Sequence, residues 1–346
     1  MHITPIPNDI KNPYISLLYG ALGDSEDFVI NEIEFDAHSL LKNNLGLVHL
    51  HWLPGFYFIG SYLPLALLGA LRFVILVEIA HLRSEGIIWT AHNKQSHECS
   101  HPFLEKTVRS YLAYRADKVI VHCGAAKSYY EDNIRQTNYE IIPHGNYSPE
   151  FDTVPTKEEA RQKLELNNEQ TTVLNFGTIR RYKRQCYIAE LVEKELLNTE
   201  IYIVGRPWEQ DLAADLREIE DESERVNVHL EYVESDDIAL YHAAADFVIL
   251  PYQNILTSGA LLLALTLGKP IIAPNIGCLP EYITSNCGYL YNDDSELISI
   301  LSDIDSGKKT SDDFSNDVIQ SEVSDLSWDR IAELHSNVYL SILNEE

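Results

Sequence analysis

Residues 175–184 read NFGTIRRYKR. A β-rich run, Thr172 to Phe176, leads into them. Gly177 stands where a chain leaving a strand must turn sharply, and Arg180, Arg181, Lys183 and Arg184 fall within five positions ahead of a helical pattern. Guanidinium forks and a helix N-terminus both favour phosphate, so positive charge gathered between a strand and a helix predicts an anion site. The other reading is a surface patch paired with neighbouring acids, since exposed ion pairs are common and worth little.

The same strand-then-helix rhythm extends in both directions, which is the signature of parallel sheets with crossover helices. In the first half, strands are expected near residues 2–7, 47–51, 87–91, 118–122 and 140–142. In the second half they are expected near 172–176, 201–204, 227–231, 247–250, 270–273 and 288–291. Between the two sets lies NYSPEFDTVPTKEEARQKLEL, where Pro149 and Pro155 precede a charged helix start, as a linker would. At 346 residues the chain exceeds what one core usually serves. The expected fold is therefore α/β with two Rossmann-like domains, residues 1–150 and 151–325, followed by a C-terminal helix in 326–346. Two such sheets place ligands at the carboxyl ends of their strands, across a cleft. No internal repeat or low-complexity tract is evident.

Charge excludes one class of partner. The chain has 26 basic and 53 acidic residues, a net of -27, whereas nucleic-acid binding rests on neutralising phosphates with Lys and Arg. Residues 1–150 hold 11 basic and 16 acidic residues, leaving 15 and 37 for the remainder. Four of those 15 sit in 180–184. So large an excess suits a protein kept soluble in high salt. Five cysteines without a CxxC or regular spacing do not suggest a disulfide framework. The opening residues lack a basic region followed by an apolar stretch. A cytoplasmic protein is expected, peripheral at most at the inner face of the membrane. Residues 55–71, GFYFIGSYLPLALLGAL, are uncharged but interrupted by Pro64. They are short for a span and suit either a buried helical hairpin or a surface that touches lipid.

Two further stretches carry polar groups in suggestive places. In PYQNILTSGALLLALTLGKP, residues 251–270, Thr257, Ser258 and Gly259 open an apolar helix. Unpaired N–H groups there can meet a phosphate, and a glycine allows close approach, although capping alone would also explain a hydroxyl. In IIWTAHNKQSHECSH, residues 87–101, a strand runs into a loop with His92, Asn93, His97 and His101. His92 at the strand end is read as a hydrogen-bonding group for a sugar hydroxyl, or else as a histidine bracing the loop. Zinc at His97, Cys99 and His101 is atypical in spacing and lacks a fourth ligand, so no metal is expected. His49 and His51, in LVHLHW, point to one side of a strand, toward either the core or the cleft. Asp303 to Asp305 form the only strict Asp-x-Asp and lie in a helical, polar region.

Taken in order, NPYISLLYGAL, HLHW, WTAHN, IIPHGNY, FGTIRRYK, DFVILPY, TSGALLLAL with GKPIIAP, GCLPE and SWDRIAELHSNVY resemble glycosyltransferase family four and its GT-B relatives over nearly the whole chain. The resemblance implies that a nucleotide-diphosphate sugar is the co-substrate and that no cofactor is needed. It implies that Gly177, Arg180 and Lys183 hold the donor diphosphate, that Thr257, Ser258 and Gly259 meet it from the opposite helix, that Glu281 lies in the donor-side loop, and that His92 is the catalytic-site group beside the transferred sugar. The C-terminal helix, with Trp328, would cross back to the first domain. One departure stands out: many members carry two glutamates eight positions apart before the GKP turn, where this chain has Ile255 and Leu263. The implied reaction is a metal-independent, retaining transfer to a glycan or lipid-linked acceptor, with membrane contact through residues 55–71. A nucleotide-sugar epimerase and a catalytically inactive donor-binding or scaffold subunit are the alternatives, because a fold does not fix a function.

Overall fold

The computed structural model describes residues 1–9, 11–57, 62–94, 100–134, 138–168, 170–196 and 198–344. The chain forms two compact units, Met1–Gly145 with Leu326–Glu346, and Asn146–Asp325. The first contains β1 (His2–Ile6), α1 (Pro13–Gly23), β2 (Val29–Ile30), α2 (Ala37–Lys42), β3 (Leu47–Leu50), α3 (Pro54–Tyr57), α4 (Leu63–Arg83), β4 (Gly86–Thr90), α5 (Pro102–Arg115), β5 (Lys118–Val121), α6 (Gly124–Ile134) and β6 (Tyr139–Ile141). Its strands make one parallel sheet in the order β2-β1-β3-β4-β5-β6. The five longer strands fall where the β-rich runs predict. Val29–Ile30 escapes such a reading because two residues carry no periodicity.

The second unit contains α7 (Lys157–Lys163), β7 (Thr171–Phe176), α8 (Gln185–Glu195), β8 (Thr199–Val204), α9 (Gln210–Asp221), β9 (Val226–His229), α10 (Ser235–Ala244), β10 (Phe247–Ile249), α11 (Gly259–Thr266), β11 (Ile271–Pro274), α12 (Leu279–Tyr282), β12 (Gly288–Tyr291), α13 (Asp294–Asp305) and α14 (Asn316–Ser321). Its parallel sheet runs β12-β11-β10-β7-β8-β9. The chain therefore builds outward from β7 in one direction, returns, and builds outward from β10 in the other. Such a reversal leaves a crevice at the carboxyl ends of the two central strands. Asn175 ties them there, its Nδ2 donating to the Ile249 carbonyl at 2.7 Å. At the other end of the sheet Asp246 accepts from Arg161 and from the Thr172 N–H, both at 2.7 Å.

The last helix, α15 (Trp328–Asn344), belongs to the first unit. Its Trp328, Ile331 and Tyr339 share a core with Tyr14 and Leu18 of α1 and Ile88 of β4. Gly145 fits beneath it only for want of a side chain, because a Cβ would lie 2.5 Å from the Trp328 ring.

The reading of residues 55–71 as a buried helical hairpin is corrected. Pro64 does not interrupt a helix; it sits in the first turn of α4, where no intrahelical N–H is lost, and one continuous helix of 21 residues follows. Phe56 meets Phe35 edge-on at 5.0 Å and Tyr57 meets Phe73 at 5.7 Å, so these aromatics face inward. Phe58 lies outside the described residues.

Burying β3, β4 and β5 also buries polar side chains, which form a hydrogen-bonded chain. His122 Nδ1 meets the Ile142 carbonyl at 2.9 Å. His122 Nε2 meets His92 Nδ1, and His92 Nε2 meets His51 Nδ1, both at 3.1 Å. His51 Nε2 and His49 Nδ1 each meet the Tyr19 hydroxyl at 2.8 Å, and His49 Nε2 meets Thr90 Oγ1 at 2.7 Å. A carbonyl can only accept, so His122 carries its proton on Nδ1. With every ring neutral, each link from His122 to Tyr19 is fixed in turn. His92 donates from Nδ1 to His122, His51 from Nδ1 to His92, and Tyr19 to His51, while His49 Nδ1 lies 2.8 Å from both the Tyr19 and the Tyr339 hydroxyls.

Burial holds these imidazoles neutral. His122 is pushed down to about 4 and His144 to about 3 chiefly by desolvation, and His49, His51 and His92 lie well below the usual range for the same cause. The unfolded chain takes up protons near pH 6.5 and the folded chain only near 4 or below. Stability is therefore complete above about 6.5 and falls with pH beneath it, by up to ~1.4 kcal/mol per pH unit for each histidine. Urea unfolding at pH 7, 6 and 5 should show the midpoint dropping steeply, and an equal midpoint at all three would contradict the buried network. Gly145→Ala should cost about 1–3 kcal/mol by overpacking, read as a lower melting temperature at pH 7.

Candidate active site

The crevice of the second unit opens where β7 ends. Gly177 adopts φ +111°, in the region that favours glycine, and Gly205 at the end of β8 adopts φ +145°. After a short extended segment, Arg181–Lys183 form a 3-10 turn. Arg184, left-handed at φ 57°, then opens α8. This path spreads the four cations in different directions.

Two of them pair with aspartates. Arg181 pairs with Asp211 at the surface, and Arg184 makes a two-pronged pair with Asp294 at 2.8 and 2.7 Å while stacking on Tyr187. The other two rest on aromatic rings. The Arg180 guanidinium lies 4.4 Å from the Trp208 ring centre, and Lys183 Nζ lies 5.9 Å from that of Tyr252. Among the described residues no carboxylate lies within ion-pair distance of Lys183. Burial, aided by the Arg180 charge, lowers its ammonium to about 8. It also borders Gly177, since a Cβ at 177 would sit 3.5 Å from Nζ.

The other wall of the crevice follows β10. The buried Tyr252 hydroxyl shares a 2.9 Å hydrogen bond with Ser258 Oγ, which also accepts from the Leu261 N–H at 3.2 Å and so caps α11. Gly177, Lys183, Tyr252 and Ser258 thus form one continuous set of contacts. Tyr252 and Trp208, which the sequence reading did not single out, supply the rings. Each follows a strand closely, and that position is the signal that could have marked them.

Not every expected residue is placed to serve a ligand directly. Above Gly259 lies the Tyr147 hydroxyl, 2.7 Å from where a Cβ would be, so a side chain here would displace it. Thr257 is half-buried just before the cap, and Glu281 is exposed on the short α12. Ile255 and Leu263 are both buried, so the two positions that hold glutamates in many related sequences are apolar here.

In the first unit His92 follows β4, with both ring nitrogens engaged by His51 and His122 and its face stacked on Trp52 at 4.0 Å. Trp52 is itself strained, with φ 24°, a conformation that non-glycine residues hold only when their surroundings demand it. Of the zinc candidates, His97 and Cys99 lie outside the described residues. Among the described residues no three His, Cys, Asp or Glu side chains are grouped to hold a metal.

Residues 170–304 match the family described as "Glycosyl transferases group 1". A GDP-mannose:glycolipid 4-beta-D-mannosyltransferase of Xanthomonas campestris pv. campestris is 24% identical over 99% of this chain and 92% of its own length. Among solved structures, Anabaena HepE in complex with UDP and glucose superposes with a TM-score of 0.71 at 15% identity, covering 99% of both chains. Sucrose-phosphate synthase from Thermosynechococcus elongatus gives 0.70 at 17% identity, over 97% of this chain and 80% of that one. With two parallel six-stranded sheets and a group 1 domain in its second unit, the chain is a GT-B glycosyltransferase resembling family four.

Proposed function

We propose that the second unit binds a nucleoside-diphosphate sugar through Gly177, Arg180, Lys183 and the Ser258 end of α11, and that the sugar passes to a glycolipid acceptor. The observation that carries this reading is Lys183, a half-buried ammonium without a carboxylate partner among the described residues, set in the crevice of the more acidic half of the chain. The glycolipid acceptor is taken from the name of the Xanthomonas relative, which also makes GDP-mannose the first donor to test.

As the bond from the anomeric carbon to the phosphate oxygen breaks, its electron pair leaves with the diphosphate. Cations already in position stabilise that charge without reorganising, and Arg180 and Lys183 are suited to do so in a metal-independent reaction. In a retaining transfer the departing phosphate oxygen takes the acceptor proton on the same face of the sugar, as the family resemblance implies. A second reading, inversion, gains support from apolar Ile255 and Leu263 and from the β linkage in the relative's name. The anomeric configuration of the product separates the two.

Lys183→Ala should weaken nucleoside-diphosphate binding by about 1.5–3 kcal/mol, the worth of a charged hydrogen bond. Arg181→Ala, which breaks an exposed pair, should cost no more than about 1 kcal/mol. Calorimetric titration with GDP and UDP checks both, and a Lys183→Ala protein that binds as tightly as the parent would refute the site. Only the protonated ammonium attracts phosphate, so affinity should hold level up to about pH 8 and decline above it. Labelled donor sugars test the reaction: slow hydrolysis or transfer supports a transferase, an isomerised sugar an epimerase, and binding without turnover a scaffold subunit.

A further inference from the structure

α4 is apolar on both faces. Inward it presents small groups such as Ala66, Ala70 and Ala80 together with the larger Phe73, Leu76 and Val77. Outward it presents Leu63, Leu67, Leu68, Leu71, Ile75 and Leu82, each about half exposed or more, with Leu82 at 78%. A helix on a water-facing surface normally carries its polar residues outward. Here a row of leucines and an isoleucine faces out as one stripe, and a contiguous patch of this kind marks an interaction surface.

Charge on this stripe is positive although the chain as a whole is strongly negative. Arg72 is exposed amid the leucines, and Arg83 lies at the helix end, where its Nη2 donates to the Leu41 carbonyl of α2 at 3.2 Å. The one acid on the helix, Glu78, is held by Arg115 of α5, with 2.9 Å between Nη2 and Oε2. Lys42 is exposed beside Leu41, itself 54% exposed. A second copy of the chain is a poor occupant. Two-fold pairing of α4 about its middle would set Arg72 against Arg72, and like charges across an interface are unfavourable. An anionic lipid surface satisfies both features, taking the leucines into the acyl boundary and the arginines among the headgroups.

We infer that the protein docks on anionic membranes through the outward face of α4, with the helix lying in the interface rather than crossing it. Crossing would withdraw Phe73 and Val77 from the core of the first unit, where both are fully buried. The surface thus keeps Leu63 to Leu71 of the stretch 55–71 expected from sequence and runs on along α4 to Leu82, while Phe56 packs against Phe35. The inference rests on this surface and not on the donor site.

Sedimentation of the full chain with phosphatidylcholine vesicles, with and without phosphatidylglycerol, tests it. The parent should pellet with the anionic vesicles. Leu68→Glu combined with Ile75→Glu should lower the bound fraction at fixed lipid by about tenfold or more, with the thermal midpoint and GDP binding unchanged. Arg72→Glu should remove mainly the increment that phosphatidylglycerol adds. A parent that ignores both vesicles at low salt overturns the inference, as does a double variant that pellets like the parent. A midpoint lowered by the double substitution would identify the leucines as core and overturn it too. A dimer in the ultracentrifuge that the same variant dissociates, without vesicle binding by the parent, would assign the surface to a second copy.

Discussion

Backbone approaches backbone where β7 and β8 end, and the crevice of the second unit is shaped by that contact. A Cβ at Gly205 would lie 2.3 Å from the Gly177 carbonyl oxygen. Gly205 adopts φ +145° and Gly177 φ +111°, and both values favour glycine. Because the two turns nest, the Gly177 N–H donates to the Val204 carbonyl at 2.9 Å, and Ile179 extends the pairing toward Pro207. The segment from 177 to 180 therefore leaves the sheet in a fixed direction. Lys183 comes to Gly177 and Arg180 to Trp208 as consequences of that direction.

The partners of the four cations differ in kind. A carboxylate that holds an arginine also cancels its charge, as Asp211 and Asp294 do for Arg181 and Arg184. An aromatic face attracts a cation through its quadrupole without neutralising it. Tyr252 can thus orient Lys183 while leaving its charge available to an anion, and Trp208 stacks on Arg180. This division matters most in a region rich in acids, where an unprotected lysine would readily find one. Burial of Lys183 restricts that access, and the lowered ammonium value is the cost of desolvating the charge.

Much of this was legible in the sequence, for reasons that can be named. Parallel strands are buried on both faces and read as short β-rich runs, so eleven of the twelve strands among the described residues can be located to within two residues, and the cations of 180–184 stand out against an acidic background. What the sequence hides depends on contacts between distant positions. Gly259 suggests ligand approach until Tyr147, over a hundred residues earlier, is found against it. Pro64 reads as a breaker because its place in a first turn depends on where the helix begins. The sorting of Lys183 from Arg181 depends on Asp211 and Tyr252, neither of which periodicity can assign to a partner.

The histidine chain of the first unit sets a condition on any role for His92. In the arrangement fixed by the Ile142 carbonyl, both nitrogens of His92 are engaged, one donating to His122 and one accepting from His51. A ring so held has no spare lone pair with which to take a proton, and its burial opposes the charged form in any case. His92 could act on a substrate hydroxyl directly only by giving up one of these bonds. Within the network, however, it can hold Trp52 in place, since the two rings stack at 9° and Trp52 carries the strained backbone. Substrate contact through His92 and positioning through Trp52 thus make different demands on the network: the first requires it to open, and the second requires it to stay shut.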